Sequence, residues 1–215
     1  MAAATLELRL FATAAGTVLA LEAAAWCIAG QSRLHALVLL GALRLFQSAA
    51  VVLLAVRLDQ SGAAVVGLRS AKIGQGFKNG LWWSLGFGAL TAAAGIGLHL
   101  CGLRPLAMID APLPAAPLEL TCLFIVGGVV GPLAEEIVFR GLVFGFLRRW
   151  GFLTAALGST LLFVLAHSSG RGLPLPQTIG GLLFAAAYEK EKNLLVPITL
   201  HVLGNLAIYT LAAFS

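Results

Sequence analysis

The sequence predicts an all-α fold, a polytopic transmembrane helical bundle of about seven spans, six at the fewest and eight at the most. Three observations carry that prediction. Hydrophobic residues make up 60% of the 215 positions and charged residues 11%, at a mean hydropathy of +0.96, whereas soluble domains are roughly 45–50% apolar and about 25% charged. The apolar residues run in stretches close to the ~20 that a helix needs to cross ~30 Å of hydrocarbon. No stretch is polar for long enough to build a soluble domain, so a single membrane domain over 1–215 is expected. Backbone in lipid must satisfy its own hydrogen bonds, which selects helices.

The spans are expected near 8–30, 34–56, 80–101, 118–148, 152–168, 174–188 and 193–213. The first has Glu7 ahead of its first basic residue and is too long for the core of a signal peptide, so it reads as a membrane span. The third contains "GFGALTAAAGIG" at 86–97, whose small residues allow close helix approach. The fourth is over-long and the fifth and sixth are short, which predicts tilting or partial burial. Arg57, Arg69, Lys72 and Lys78, then Arg148 and Arg149, then Lys190 and Lys192 all fall in connections on one side. The opposite side has fewer, Arg33, Arg104 and Arg171, and a turn-rich loop at 102–117. Positive charge marks the cytoplasmic side, so the N-terminus is expected inside the cell, and the membrane to be the inner one in a bacterium.

The same observations exclude other classes. The net charge of +5 comes from basic residues scattered among short connections, with no basic stripe or interleaved aromatics, so nucleic acid is not an expected partner. Cys27, Cys101 and Cys122 are odd in number and lie in or beside apolar runs, the pattern of packing residues rather than of a disulfide framework or a metal pair. No inverted repeat of the transporter kind is visible.

Ionisable groups inside spans are costly, about 2.5–3.5 kcal/mol at a helix centre, and each is a candidate functional residue. Glu22, Arg44, Glu135, Glu136, Arg140, His167 and His201 qualify, with His99 near a helix end. Glu22 and Arg44 sit alone on the first two spans, where a structural ion pair is the simpler reading, and His99 reads as an interfacial side chain. The second half is patterned. Glu136 and Arg140 are four apart and share a helix face, with the glutamate N-terminal. Glu135 points about 100° away, and without a partner on its own helix it is a candidate general base. Phe163 and His167 share a face in "FVLAH", and His201 and Asn205 share one in "HVLGN".

One free carboxylate, two histidines and an amide suit water-driven acyl transfer. Carboxylate and imidazole can take a proton from an attacking water, while a second imidazole and an amide can donate to the oxyanion. No serine, threonine or cysteine stands beside a base as a nucleophile would. Two histidines and a glutamate are also a known zinc set, Glu135 with His167 and His201, but His-Glu-x-x-His is absent and Asn205 would be an unusual ligand, so a reaction without a cofactor is expected. A membrane scaffold or regulator and a proton-coupled transporter are the rival classes.

At these positions the sequence resembles the CAAX prenyl protease and bacteriocin-processing family of intramembrane glutamic endopeptidases, also called Abi. "EEIVFR" fits Glu-Glu-x-x-x-Arg, "FVLAH" fits Phe-x-x-x-His and "HVLGN" fits His-x-x-x-Asn, in the family's order, and "GGLLFAAAYEKEKNLLVPITLHVLGN" is similar to its glycine-rich sixth helix, a Tyr-containing turn and the approach to the last motif. The resemblance covers roughly 118–210, a core expected over 118–213, while 1–117 carries no motif. It implies a chamber formed by the fourth to seventh helices, with Glu135 and His167 activating water, His201 and Asn205 forming the oxyanion site, and Glu136, Arg140 and Phe163 in support. The implied partner is a membrane-anchored protein or peptide substrate. The Ras-converting members are longer, with an extra span, and cut prenylated tails; bacterial members are similar in sequence and act on peptide precursors, leaders or sorting tails.

Overall fold

The computed structural model describes residues 6–28, 33–104, 111–167 and 175–214. Seven helices account for most of them: α1 Leu8–Ile28, α2 Arg33–Leu58, α3 Ile73–Leu100, α4 Pro117–Trp150, α5 Phe152–His167, α6 Leu175–Glu191 and α7 Leu195–Ala212. There is no strand among the described residues, and the bundle expected from the apolar runs is the observed fold. Five helices, α1 to α4 and α7, are long and apolar enough to cross a membrane. With 16 and 17 residues, α5 and α6 are the short elements that the sequence marks. The chain is a multi-pass membrane protein. Arg171 and part of the 102–117 connection lie outside the described residues.

Two boundaries differ from the sequence reading. Helix α3 begins at Ile73, seven residues before the expected start at 80. Its first turns, "IGQGFKNG", are polar and glycine-rich and look like a loop, but two of its three glycines, Gly76 and Gly80, sit at close packing contacts. A Cβ on Gly76 would lie 2.5 Å from Asn193, and one on Gly80 would lie 2.5 Å from Thr199. Tyr188 is not in a turn. It lies inside α6, which runs on to Glu191, and it is buried edge-on against Phe144 with 5.5 Å between centroids.

Helix α4 holds 34 residues because it is not α-helical throughout. Two wide, π-helical stretches, Val126–Val130 and Ile137–Phe144, flank the regular turn Gly131–Glu136. Pro132 has no N–H for the carbonyl one turn back and its ring crowds that carbonyl, so a widened turn directly before it relieves both problems.

The main core gathers Leu6, Leu10 and Ala14 before and along α1, Val51 and Ala55 of α2, Ile137, Leu142 and Phe144 of α4, and Leu194 with Ile198 at the start of α7. Val65 and Val66 belong to it too, on the short 3₁₀ turn Gly62–Val66 between α2 and α3. Gly67 closes that turn at φ +85, a conformation glycine adopts without penalty, and its carbonyl accepts the Leu194 N–H at 3.1 Å. Helix α7 therefore starts inside the protein: Val196, Pro197, Ile198, Thr199 and Leu200 are all buried.

Candidate active site

The depth of each motif residue follows from where its helix begins. Helix α5 rises ~22 Å from Phe152 to His167 at ~1.5 Å per residue, and Glu135 stands about as far from the Trp150 end of α4. His201 is only six residues into α7, but α7 starts beneath the 62–66 turn. The three side chains consequently meet: Glu135 Oε1 is 3.6 Å from His167 Nε2, and Glu135 Oε2 is 3.7 Å from His201 Nε2.

Glu136 faces the protein interior and has no exposed surface. Its Oε1 accepts from Arg140 Nη1 at 3.0 Å and from His201 Nδ1 at 2.9 Å. Arg140, also fully buried, donates from Nη2 to the Gly181 carbonyl at 3.0 Å. Its guanidinium carbon stands 4.8 Å from the Phe163 centroid and 5.3 Å from that of Phe184. Such faces accept a cation that water cannot reach. Phe163 also packs against His167, 4.4 Å between centroids, and Phe184 stacks on His201 at 4.6 Å. Glu136 Oε2 and Arg140 Nε have no hydrogen-bond partner among the described residues.

Hydrogen positions follow from which partners can only accept. The Phe163 carbonyl, 2.8 Å from His167 Nδ1, accepts, so Nδ1 carries the hydrogen and a neutral ring turns its Nε2 lone pair toward Glu135. Ion-paired Glu136 accepts in the same way from His201 Nδ1, leaving Nε2 of that ring as the free nitrogen. Gaps of 3.6 and 3.7 Å exceed a direct hydrogen bond. A water between Glu135 and a neutral His167 would donate one hydrogen to each and turn a lone pair outward, the orientation of a nucleophile.

The structure therefore brings Glu135, Glu136, Arg140, Phe163, His167 and His201 into one cluster. Two expectations change. Glu135 has no partner on its own helix, but it faces two imidazoles from α5 and α7. Asn205 and His201 do not present all their donors to one point: Asn205 Nδ2 donates to the Gly127 carbonyl at 2.9 Å, in the first wide turn of α4, and His201 uses its Nδ1–H on Glu136. Glu135, His167 and His201 are the donor types of a zinc site, and no three such side chains converge as metal ligands among the described residues.

Sequence reasoning missed four participants. Phe184 and Gly181 come from the glycine-rich part of α6, where nothing marks one apolar residue over another. Gly127 acts through its carbonyl, and Gln47 looks like any polar residue on α2. Gln47 is fully buried. With Glu22, Arg44, Phe139, Glu135 and His167 it lines a cavity of about 110 Å³. The expected Glu22–Arg44 pair is present, so α1 and α2 reach the site.

Residues 117–207 match the family model described as Type II CAAX prenyl endopeptidase Rce1-like. The chain is 39% identical over 84 residues to the membrane-embedded CAAX protease MroQ of Staphylococcus aureus (strain USA300), a match covering 36% of this chain and 34% of MroQ. It is 38% identical over 84 residues to YdiL of Bacillus subtilis (strain 168), whose name proposes a membrane peptidase, covering 39% and 34%. It is 35% identical over 98 residues to an uncharacterized 24.3 kDa protein of Escherichia coli, covering 43% of each. The matched part spans about a third of the length of the first two relatives. No solved structure matches significantly. The resemblance read from the three motifs is thus found again, over residues 117–207, which hold them.

Proposed function

With residues 117–207 similar to a CAAX prenyl endopeptidase, we propose that this protein is an intramembrane endopeptidase of the glutamic type, hydrolysing a peptide bond in a membrane-associated protein or peptide precursor. The observation that supports this reading best is the meeting of Glu135, His167 and His201, from three helices, beside a small cavity. Glu135, assisted by His167, removes a proton from a water that attacks the scissile carbonyl. The carbonyl oxygen takes the negative charge, the C–N bond then breaks, and the proton passes to the departing amine. The elements of water are divided between the two products and no protein nucleophile is consumed.

His201 and the second amide hydrogen of Asn205 serve the oxyanion. Because the Nδ1–H of His201 is held by Glu136, its Nε2 can donate only when the ring is protonated. Glu136, itself held by Arg140, orients the His201 ring through that bond, which gives the Glu136–Arg140 pair a task beyond structure. The N-terminus is cytoplasmic in this reading, the membrane is the inner one if the chain is bacterial, and the partners are the substrate and the bilayer.

The test is cleavage of membrane-anchored peptides by the purified protein. Glu135→Gln should lower kcat by about 10²–10⁴, the usual scale for a lost general base, and Asn205→Ala by about 10²–10³, that for an oxyanion donor. Unchanged cleavage in both variants would falsify the assignment and favour a scaffold. Activity removed by a chelator and restored by zinc would replace the metal-free mechanism with the zinc-dependent one.

A further inference from the structure

The half of the chain without motifs places a guanidinium in the same cavity. Arg44 Nη1 donates to Glu22 Oε1 and, at 2.7 Å, to Gln47 Oε1. Gln47 Nε2 donates to Glu22 Oε1 at 3.1 Å and to the Val18 carbonyl at 3.4 Å. Two side chains, Glu22 and Gln47, therefore fix Arg44 through one nitrogen, and among the described residues its Nε and Nη2 hydrogens are uncommitted. Those hydrogens form the edge that binds a carboxylate through two parallel bonds.

An ion pair that only fastened α1 to α2 would need no cavity shared with Glu135 and His167, yet these groups line the same walls. The cavity also has an electrostatic bias. Glu22 and Glu135 are both acids, so a substrate carboxylate entering at low dielectric is repelled unless a cation receives it. We propose that Arg44, braced by Glu22 and Gln47, is a specificity-determining residue that binds a carboxylate of the substrate close to the scissile bond. The proposal rests on the endopeptidase reading and names the substrate feature it selects. A cavity of this volume is roughly 6 Å across, about two residues of extended chain at ~3.5 Å each. The carboxylate thus belongs to a residue within about two of the bond. It is supplied either by the peptide's own C-terminus or by an aspartate or glutamate side chain.

Binding separates this proposal from catalysis. Glu135→Gln protein in nanodiscs is titrated, by fluorescence anisotropy, with three N-palmitoylated Ala/Leu hexapeptides: one with a free C-terminus, one amidated, and one amidated with Asp as its last residue. At least one charged peptide should bind tenfold or more tightly than the neutral one. Arg44→Gln should erase that preference while leaving the Kd of the neutral peptide unchanged, and Arg44→Lys should keep part of it. Whichever charged peptide is preferred identifies the source of the carboxylate. Equal Kd values for all three peptides, an absence of binding, or a preference that survives Arg44→Gln would each overturn the proposal. The free-acid and amide comparison needs no change at Arg44, so a misfolded variant does not blunt it. A charge preference in a protein that cleaves nothing would sink the endopeptidase reading and leave the Arg44 site standing.

Discussion

Arg140 shows how a charge is kept where it has no exposed surface. Its partners are one carboxylate, one carbonyl and two aromatic faces. Taking away one member of such a pair strands the other, so Arg140→Met, similar in volume, should cost about 3–5 kcal/mol of stability. Thermal unfolding in detergent measures this, and Glu136→Gln/Arg140→Met should recover part of the loss because no buried charge is left alone. Only the Glu136–Arg140 half of this arrangement was legible in the sequence, since a spacing of four fixes a shared face. Phe184 and the Gly181 carbonyl were not, because helical periodicity shows which residues share a face and not which neighbour they meet. The same limit hid the Glu136–His201 bond, which joins two motifs that are each recognisable alone.

Among the elements, α4 carries the most chemistry and departs most from regular geometry. Its first wide turn exposes the Gly127 carbonyl to Asn205, and a Cβ at Gly127 would lie 2.5 Å from Tyr209 Oη, so any larger residue must displace that side chain. Gly127→Ala should destabilise by about 1–3 kcal/mol, the range for overpacking. Adding Tyr209→Phe should return part of that, and a double-mutant cycle in thermal unfolding gives the coupling. The π-helical geometry could not be read from apolar composition, although the excess length of the run and Pro132 were both visible. The early start of α3 was hidden for the opposite reason: Gly76 and Gly80, of the kind that marks loops in soluble proteins, mark close helix contacts here. Gly80→Leu should therefore loosen α3 from α7, detected as faster amide exchange in both helices with α5 unchanged.

At the scale of the whole molecule, the end of α4 is tied to that of α6. Arg148 meets Glu189 through two bonds of 2.9 and 2.8 Å, and Lys192 joins at 2.7 Å. The hydrogen bonds from Arg148 hold the Glu189 carboxyl below its ordinary value. Such a group stabilises the fold above its unfolded pKa, near 4.3, and that contribution is lost as pH falls through the lower folded value. Melting temperature should drop between about pH 5 and 3, and Arg148→Met should flatten the drop. The bundle, its membrane setting and the cluster of motif residues were legible because lipid restricts the backbone to helices and makes every buried charge conspicuous. The contribution of α1 and α2 was not, since an isolated Glu and Arg on neighbouring spans announce a bond between two helices and nothing about a third. Arg140 has one more consequence, for the order in which the protein is made. Its carbonyl partner and both aromatic faces lie on α5 and α6, downstream in the chain, so α4 emerges from the ribosome with an unshielded guanidinium worth about +2.5–3.5 kcal/mol against insertion. A nascent chain cut after α4 should integrate that segment less completely than one extended through α6, as glycosylation mapping in microsomes would show.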